Sequence, residues 1–183
     1  MASTLQMGDD DVLEVQVQEQ QPKWKGKTSA EMAGIKAEQI WPFLEDFFGL
    51  DKWFPTLTTC IPVEGISGQP GCVRYCAGFR TPVDSDDGEE TVNWTNQKLL
   101  SIDPTKMTFS YSIIDGNVGF NKYVSTVTVV KKEDEEEGCR IEWEYEVEPV
   151  KVKGWTLKHL DCFISTGLQV MVERMKEAIQ GFK

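Results

Sequence analysis

The sequence predicts an α+β domain: a strongly curved antiparallel sheet of about seven strands gripping one long C-terminal helix, with two short helices after the first strand. Clean apolar–polar alternations predict the sheet, and the clearest runs Ile141-Glu142-Trp143-Glu144-Tyr145-Glu146-Val147-Glu148. Every second residue there is apolar or aromatic and every residue between is Glu, which marks a strand with one dry face and one wet face. A one-residue slip would bury its glutamates, so the register is strongly fixed. The helix is predicted by Leu157, Leu160, Ile164, Leu168, Met171, Met175 and Ile179, which recur at three- and four-residue steps and form one apolar stripe between Thr156 and Phe182.

Taken in order, residues 1–21 read as a disordered acidic tail, and 22–183 as one ligand-binding domain. Lys23 to Met32 alternates as a strand. Ala37 to Phe48 is a helix, with Ile40, Phe43, Leu44 and Phe47 at helical spacing; Pro42 inside it is tolerable only near the first turn. Gly49 ends that helix, and Leu50 to Phe54 forms a second short helical turn closed by Pro55. Thr58 to Glu64 is a strand, Gly65 to Gly71 a glycine-rich connection, and Cys72 to Gly78 the next strand. A polar turn over Thr81 to Gly88 leads to a longer strand, Glu89 to Asp103, which closes at Asp103-Pro104. Met107, Phe109, Tyr111 and Ile113 then share one strand face, and Tyr123, Ser125, Val127 and Val129 another. Lys132 to Gly138 is a charged, solvated hairpin tip. Thr156 is placed to cap the last helix.

Composition narrows the partners. The chain has 183 residues, 40% of them hydrophobic, a formal net charge of −11 and a pI of about 4.6. An acidic protein is repelled by nucleic acid and by anionic lipid, so neither is expected as a partner. The cysteines, Cys60, Cys72, Cys76, Cys139 and Cys162, are odd in number and scattered, unlike a disulfide framework. His159 is the only histidine, and no cluster of convergent metal ligands exists, so neither metal nor cofactor is expected. The first residues lack the apolar stretch of a signal peptide, and no run approaches the roughly 18 apolar residues of a membrane span. The expected location is the cytoplasm, with passive entry to the nucleus.

A curved sheet cannot close on a helix along its whole length, and the space left over is where a ligand pocket is expected. Its candidate lining is Phe109, Tyr111, Ile113, Tyr123, Trp143 and Tyr145 from the strands, with Leu168 and Met171 from the helix. Each aromatic would serve equally well as ordinary core, although a buried phenol needs a hydrogen-bond partner. Arg74 alternates with Val73 and Tyr75. Either it points into the cavity, where a guanidinium must meet an anion or a polarised oxygen, or it lies on the surface. The local pattern leaves both open.

Four segments carry a family resemblance: KWKGK at Lys23–Lys27, WPFLEDFFGLDKWFPTL at Trp41–Leu57, VEGISGQPGCVRY at Val63–Tyr75 and KLLSID at Lys98–Asp103. Over about residues 22–180 the chain resembles lachrymatory factor synthase and its plant relatives. These belong to the polyketide cyclase/dehydrase and lipid-transport group of the START-like superfamily. The resemblance implies the helix-grip fold. It also implies proton-shifting isomerisation of a sulfenic acid by an Arg and a Glu. The Arg falls on Arg74, which favours the cavity-facing alternative and a catalytic or anchoring role. The Glu falls on Gln97, and a carboxamide cannot accept and return a proton near neutral pH. Two pocket tyrosines of the family match Tyr111 and Tyr123.

The sequence therefore supports a protein that binds a small hydrophobic metabolite, with Arg74, Gln97 and the tyrosines orienting it. The competing reading is an isomerase or cyclase acting through Arg74 and the cavity tyrosines. A role that rests on a protein partner has only the acidic surface and the Trp53-Phe54 pair in its favour.

Overall fold

The computed structural model describes residues 22–82, 91–133 and 137–181. The expected tail, most of the expected polar turn, Glu89 and Glu90, part of the charged hairpin tip and Phe182 lie outside the described residues. Strand β1 (Trp24–Ala33) leads to α1 (Ala37–Glu45) and a 3-10 helix (Phe47–Lys52). Then come β2 (Thr59–Glu64), β3 (Val73–Arg80), β4 (Val92–Asp103), β5 (Thr108–Gly116), β6 (Val124–Lys131), β7 (Gly138–Val147) and α2 (Leu157–Gln180). The sheet order is β1-β7-β6-β5-β4-β3-β2, antiparallel throughout. β2 to β7 form a meander, while β1 pairs with β7. The segment holding α1 and the 3-10 helix therefore crosses from one edge of the sheet to the other. The result is the predicted curved sheet around a C-terminal helix.

β7 shows why the register holds. Cys139, Ile141, Trp143, Tyr145 and Val147 are buried. The glutamates between them face β1, where Lys27 lies 3.5 Å from Glu142 and 3.3 Å from Glu144, and Lys23 lies 3.0 Å from Glu146. On the inner side Gly26 stands opposite Tyr145 in the ladder. A Cβ on Gly26 would overlap the Tyr145 ring. The bare glycine lets the ring cross β1, and its hydroxyl donates to Asp161 Oδ1 at 3.1 Å, tying β7 to α2.

The helix expected over Ala37–Phe48 is in fact two pieces. α1 stops at Glu45, and the chain turns at Asp46 (φ −71°, ψ 80°) before the 3-10 helix begins. Pro42 lies in the middle of the short α1, not in its first turn, and offers no N–H to the Glu38 carbonyl. Gly49 sits inside the 3-10 helix instead of ending a helix. α2 begins as expected, with Thr156 Oγ1 accepting from the His159 N–H at 3.1 Å. Its stripe is buried at Leu160, Ile164, Leu168, Met171 and Met175, whereas Leu157 is exposed. Gly167 faces Phe54 so closely that a Cβ there would overlap the ring, which brings the turn after the 3-10 helix onto α2. Among the described residues no helix is long and apolar enough to cross a membrane.

Candidate functional site

Between the sheet and the first half of α2 lies a cavity of about 60 Å³. The 3-10 helix and the turn after it supply Leu50, Phe54 and Leu57. β3 and β4 supply Phe79, Thr95 and Gln97; β5 and the approach to β6 supply Tyr111, Ile113, Phe120 and Tyr123. β7 supplies Trp143, and α2 supplies Leu160, Phe163 and Ile164. Leu57, Ile113 and Phe163 are only half-buried while the rest of the lining is buried, so these three mark the mouth.

Polar groups gather on one wall. Gln97 Oε1 accepts from Arg74 Nε at 2.8 Å, and Gln97 Nε2 donates to Thr95 Oγ1 at 3.1 Å. Arg74 Nη1 donates to the Phe47 carbonyl at 2.8 Å. The guanidinium carbon lies 3.9 Å from the centre of the Phe47 ring and 4.9 Å from that of Tyr111. Arg74 is 2% exposed, and its hydrogen-bond partners are a carboxamide and a backbone carbonyl. Oriented dipoles and two π faces, in place of a carboxylate, make this buried charge tolerable. Tyr75 lies on the opposite face, half-buried and stacked on Trp94 at 5.9 Å between ring centres. Alternation along β3 thus turns Cys72, Arg74 and Cys76 inward. Even so, Arg74 does not border the cavity: it stands behind Gln97 and Tyr111 and holds both from the rear.

Two strands along the same sheet, Ser125 of β6 organises Tyr123 and Trp143. Its hydroxyl donates to the Glu144 carbonyl at 2.8 Å and accepts from Trp143 Nε1 at 2.6 Å and from the Tyr123 hydroxyl at 3.4 Å. Burial pushes the Tyr111 phenol well above its ordinary pKa, with the neighbouring Tyr123 adding to the effect. Burial also raises Tyr123, against the lowering pull of Ser125. Both phenols are therefore neutral donors at physiological pH, unsuited to serve as bases.

Of the residues singled out in the sequence, Gln97, Tyr111, Ile113, Tyr123 and Trp143 meet at the cavity. Phe109, Tyr145, Leu168 and Met171 are buried in core away from it. Phe109 packs among Trp41, Phe47 and Tyr111 at ring-centre separations of 6.2–6.3 Å. Leu168 and Met171 lie too far along α2: the stripe meets the cavity at Leu160 and Ile164 and fills the core beyond them. Sequence reasoning missed Phe54, Phe79, Phe120 and Phe163, which sit in turns, next to a strand irregularity, or off the main stripe. Thr95 was missed because the inward face of β4, Asn93, Thr95 and Gln97, is polar.

A family model described as polyketide cyclase / dehydrase and lipid transport matches residues 23–180. Among solved structures the chain is similar to XoxI of Bacillus cereus, with 20% identity and a TM-score of 0.63 over 86% of this chain and 99% of that one. An uncharacterised protein of Bacillus thuringiensis gives 22% identity and a TM-score of 0.63 over 83% and 98%. Major latex-like protein 151 of ginseng, Panax ginseng, gives 18% and 0.57 over 85% and 97%. At such identities the likeness to these structures speaks to the fold.

Proposed function

The chain belongs to the polyketide cyclase/dehydrase and lipid transport family, and from that premise we propose that it binds a small, largely apolar metabolite between the sheet and the first half of α2. The observation that carries this reading is an apolar cavity with its polar side chains confined to the Thr95–Gln97 wall and the two phenols. Apolar burial, at about 25 cal/mol per Å², supplies the affinity. Gln97, Tyr111 and Tyr123 orient the polar end of the guest, and Arg74 fixes Gln97 in place. The cavity of about 60 Å³ is far below the roughly 300–1,000 Å³ of ordinary ligand sites. A guest therefore enters by displacing the side chains at the mouth, Leu57 and Phe163 first. Unpaired cysteines support a reducing compartment such as the cytoplasm.

Native mass spectrometry of the protein purified from its own tissue tests the reading. A small molecule should travel with the wild-type chain and be lost from Leu160→Trp, whose indole fills the cavity. An adduct retained by a folded Leu160→Trp protein would place the binding elsewhere.

The finer likeness to lachrymatory factor synthase rests on the VEGISGQPGCVRY segment, and there Gln97 decides between carrier and catalyst. Its oxygen is already held by Arg74 Nε, and no carboxylate borders the cavity among the described residues. That supports binding over proton-shifting chemistry. Gln97→Glu should give sulfenic-acid isomerisation where the unmodified protein gives none. Activity in the unmodified protein would favour the enzyme.

A further inference from the structure

We propose that Cys60 and Cys76 form an oxidisable dithiol, in which Cys60 meets a peroxide and Cys76 resolves the product into a cross-strand disulfide. The binding role uses neither thiol. The two residues stand directly opposite each other in the β2–β3 ladder, and the Cys76 thiol donates to Cys60 Sγ at 3.7 Å. Two residues further on, Pro62 stands opposite Arg74 and has no N–H to exchange. That makes Pro62–Arg74 a non-hydrogen-bonded pair, and strand periodicity makes Cys60–Cys76 another. Such pairs bring Cα atoms to about 4.5 Å, inside the roughly 4.4–6.8 Å span that a disulfide bridges. The strands need not move apart or together; a change of side-chain rotamers closes the bond.

The surroundings assign the roles. β2 is an edge strand, and Cys60 keeps 9% of its surface exposed while Cys76 keeps none. An oxidant therefore reaches Cys60 first. The Cys76 S–H holds the Cys60 thiol below its ordinary pKa, helped by the Arg74 charge and the Leu50 amide and opposed by burial and by Asp51. Cys76, the donor in the pair and fully enclosed, is pushed up. The comparison within the chain is sharp: burial raises both Cys72 and Cys139, which have no thiol partner. Low thiolate pKa with partial exposure is the condition for selective oxidation.

The chemistry balances with hydrogen peroxide or an organic hydroperoxide as oxidant. The Cys60 thiolate attacks one peroxide oxygen and the O–O bond breaks. Cys60 becomes a sulfenic acid, and the departing oxygen takes up a proton as water or alcohol. Cys76 then attacks the sulfenic sulfur, gives up its proton and expels water as the S–S bond forms. Two thiols lose two electrons and two protons in all, and the peroxide gains them.

The experiment treats the reduced full-length chain with stoichiometric hydrogen peroxide, blocks remaining thiols, and maps tryptic peptides without reduction. Trypsin cuts after Arg74, between Cys60 and Cys76, and a second digestion with Glu-C cuts after Glu64, between Cys60 and Cys72, so that the three thiols fall on separate peptides. The expected product joins a peptide containing Cys60 to Tyr75–Arg80, disappears with dithiothreitol, and forms equally in Cys162→Ser. In Cys76→Ser, dimedone should trap the sulfenic acid at Cys60. In the untreated chain iodoacetamide should label Cys60 about tenfold faster than Cys139 at neutral pH. A bridge through Cys72 in place of Cys60, no bridge at all, or labelling of Cys60 no faster than of Cys139 would overturn the proposal.

Discussion

Arg74 is the residue on which the interior turns. It spends Nε on Gln97 and Nη1 on the Phe47 carbonyl, and lays its plane against two rings. Arg74→Ala strips two buried acceptors of their donors and opens a hole beside Phe47, at an expected loss of about 3 kcal/mol or more in denaturant unfolding. Arg74→Lys should recover little, because an ammonium cannot serve two divergent acceptors while lying flat on a ring. Alternation placed Arg74 on one of two faces and could go no further, since Val73 and Tyr75 would pack well on either. Gln97 came from the family resemblance alone. Thr95 was invisible for a physical reason: a polar inner face on β4 mimics a wet one, and only the partners in the fold reveal that it is dry.

Among the elements, β7 was the most legible, since its glutamates and aromatics admit a single register. Its pairing with β1 was not, because local alternation does not say which strand lies alongside. The outer and inner faces of β7 give two predictions. Gly26→Ala should destabilise by about 1–3 kcal/mol in thermal or denaturant unfolding, since the new methyl must displace a ring anchored at Asp161. The second concerns acid. The Arg140 guanidinium, 2.9 Å from Glu142, holds that carboxyl below its ordinary pKa, with Lys27 assisting against partial burial. This contribution is complete above the ordinary carboxylate range and is lost as pH falls through the lowered native value. Melting temperature against pH should therefore flatten in that acid window for Glu142→Gln. The helices were less legible than the strands. The break at Asp46 lies beyond the turn that Pro42 weakens, and it accompanies a tertiary bond from Arg74 to the Phe47 carbonyl that no local pattern contains. The stripe on α2 was plain, but which of its turns meets empty space depends on the sheet's curvature.

At the scale of the molecule, the helix-grip architecture followed from element order and one-sided strands. The size of the hollow did not, because it depends on how rings from separate turns, Phe54, Phe79, Phe120 and Phe163, settle against each other. Phe54 and Phe163 lie 5.3 Å apart between ring centres, and Phe79 and Phe163 5.6 Å. With so little vacancy at rest, the clock for loading belongs to the protein. Observed rates, followed through Trp143 fluorescence after rapid mixing, should climb with guest concentration and then level at one ceiling shared by chemically different guests. Leu57→Ala should lift that ceiling. A rate that rises without limit would mean that the door already stands open.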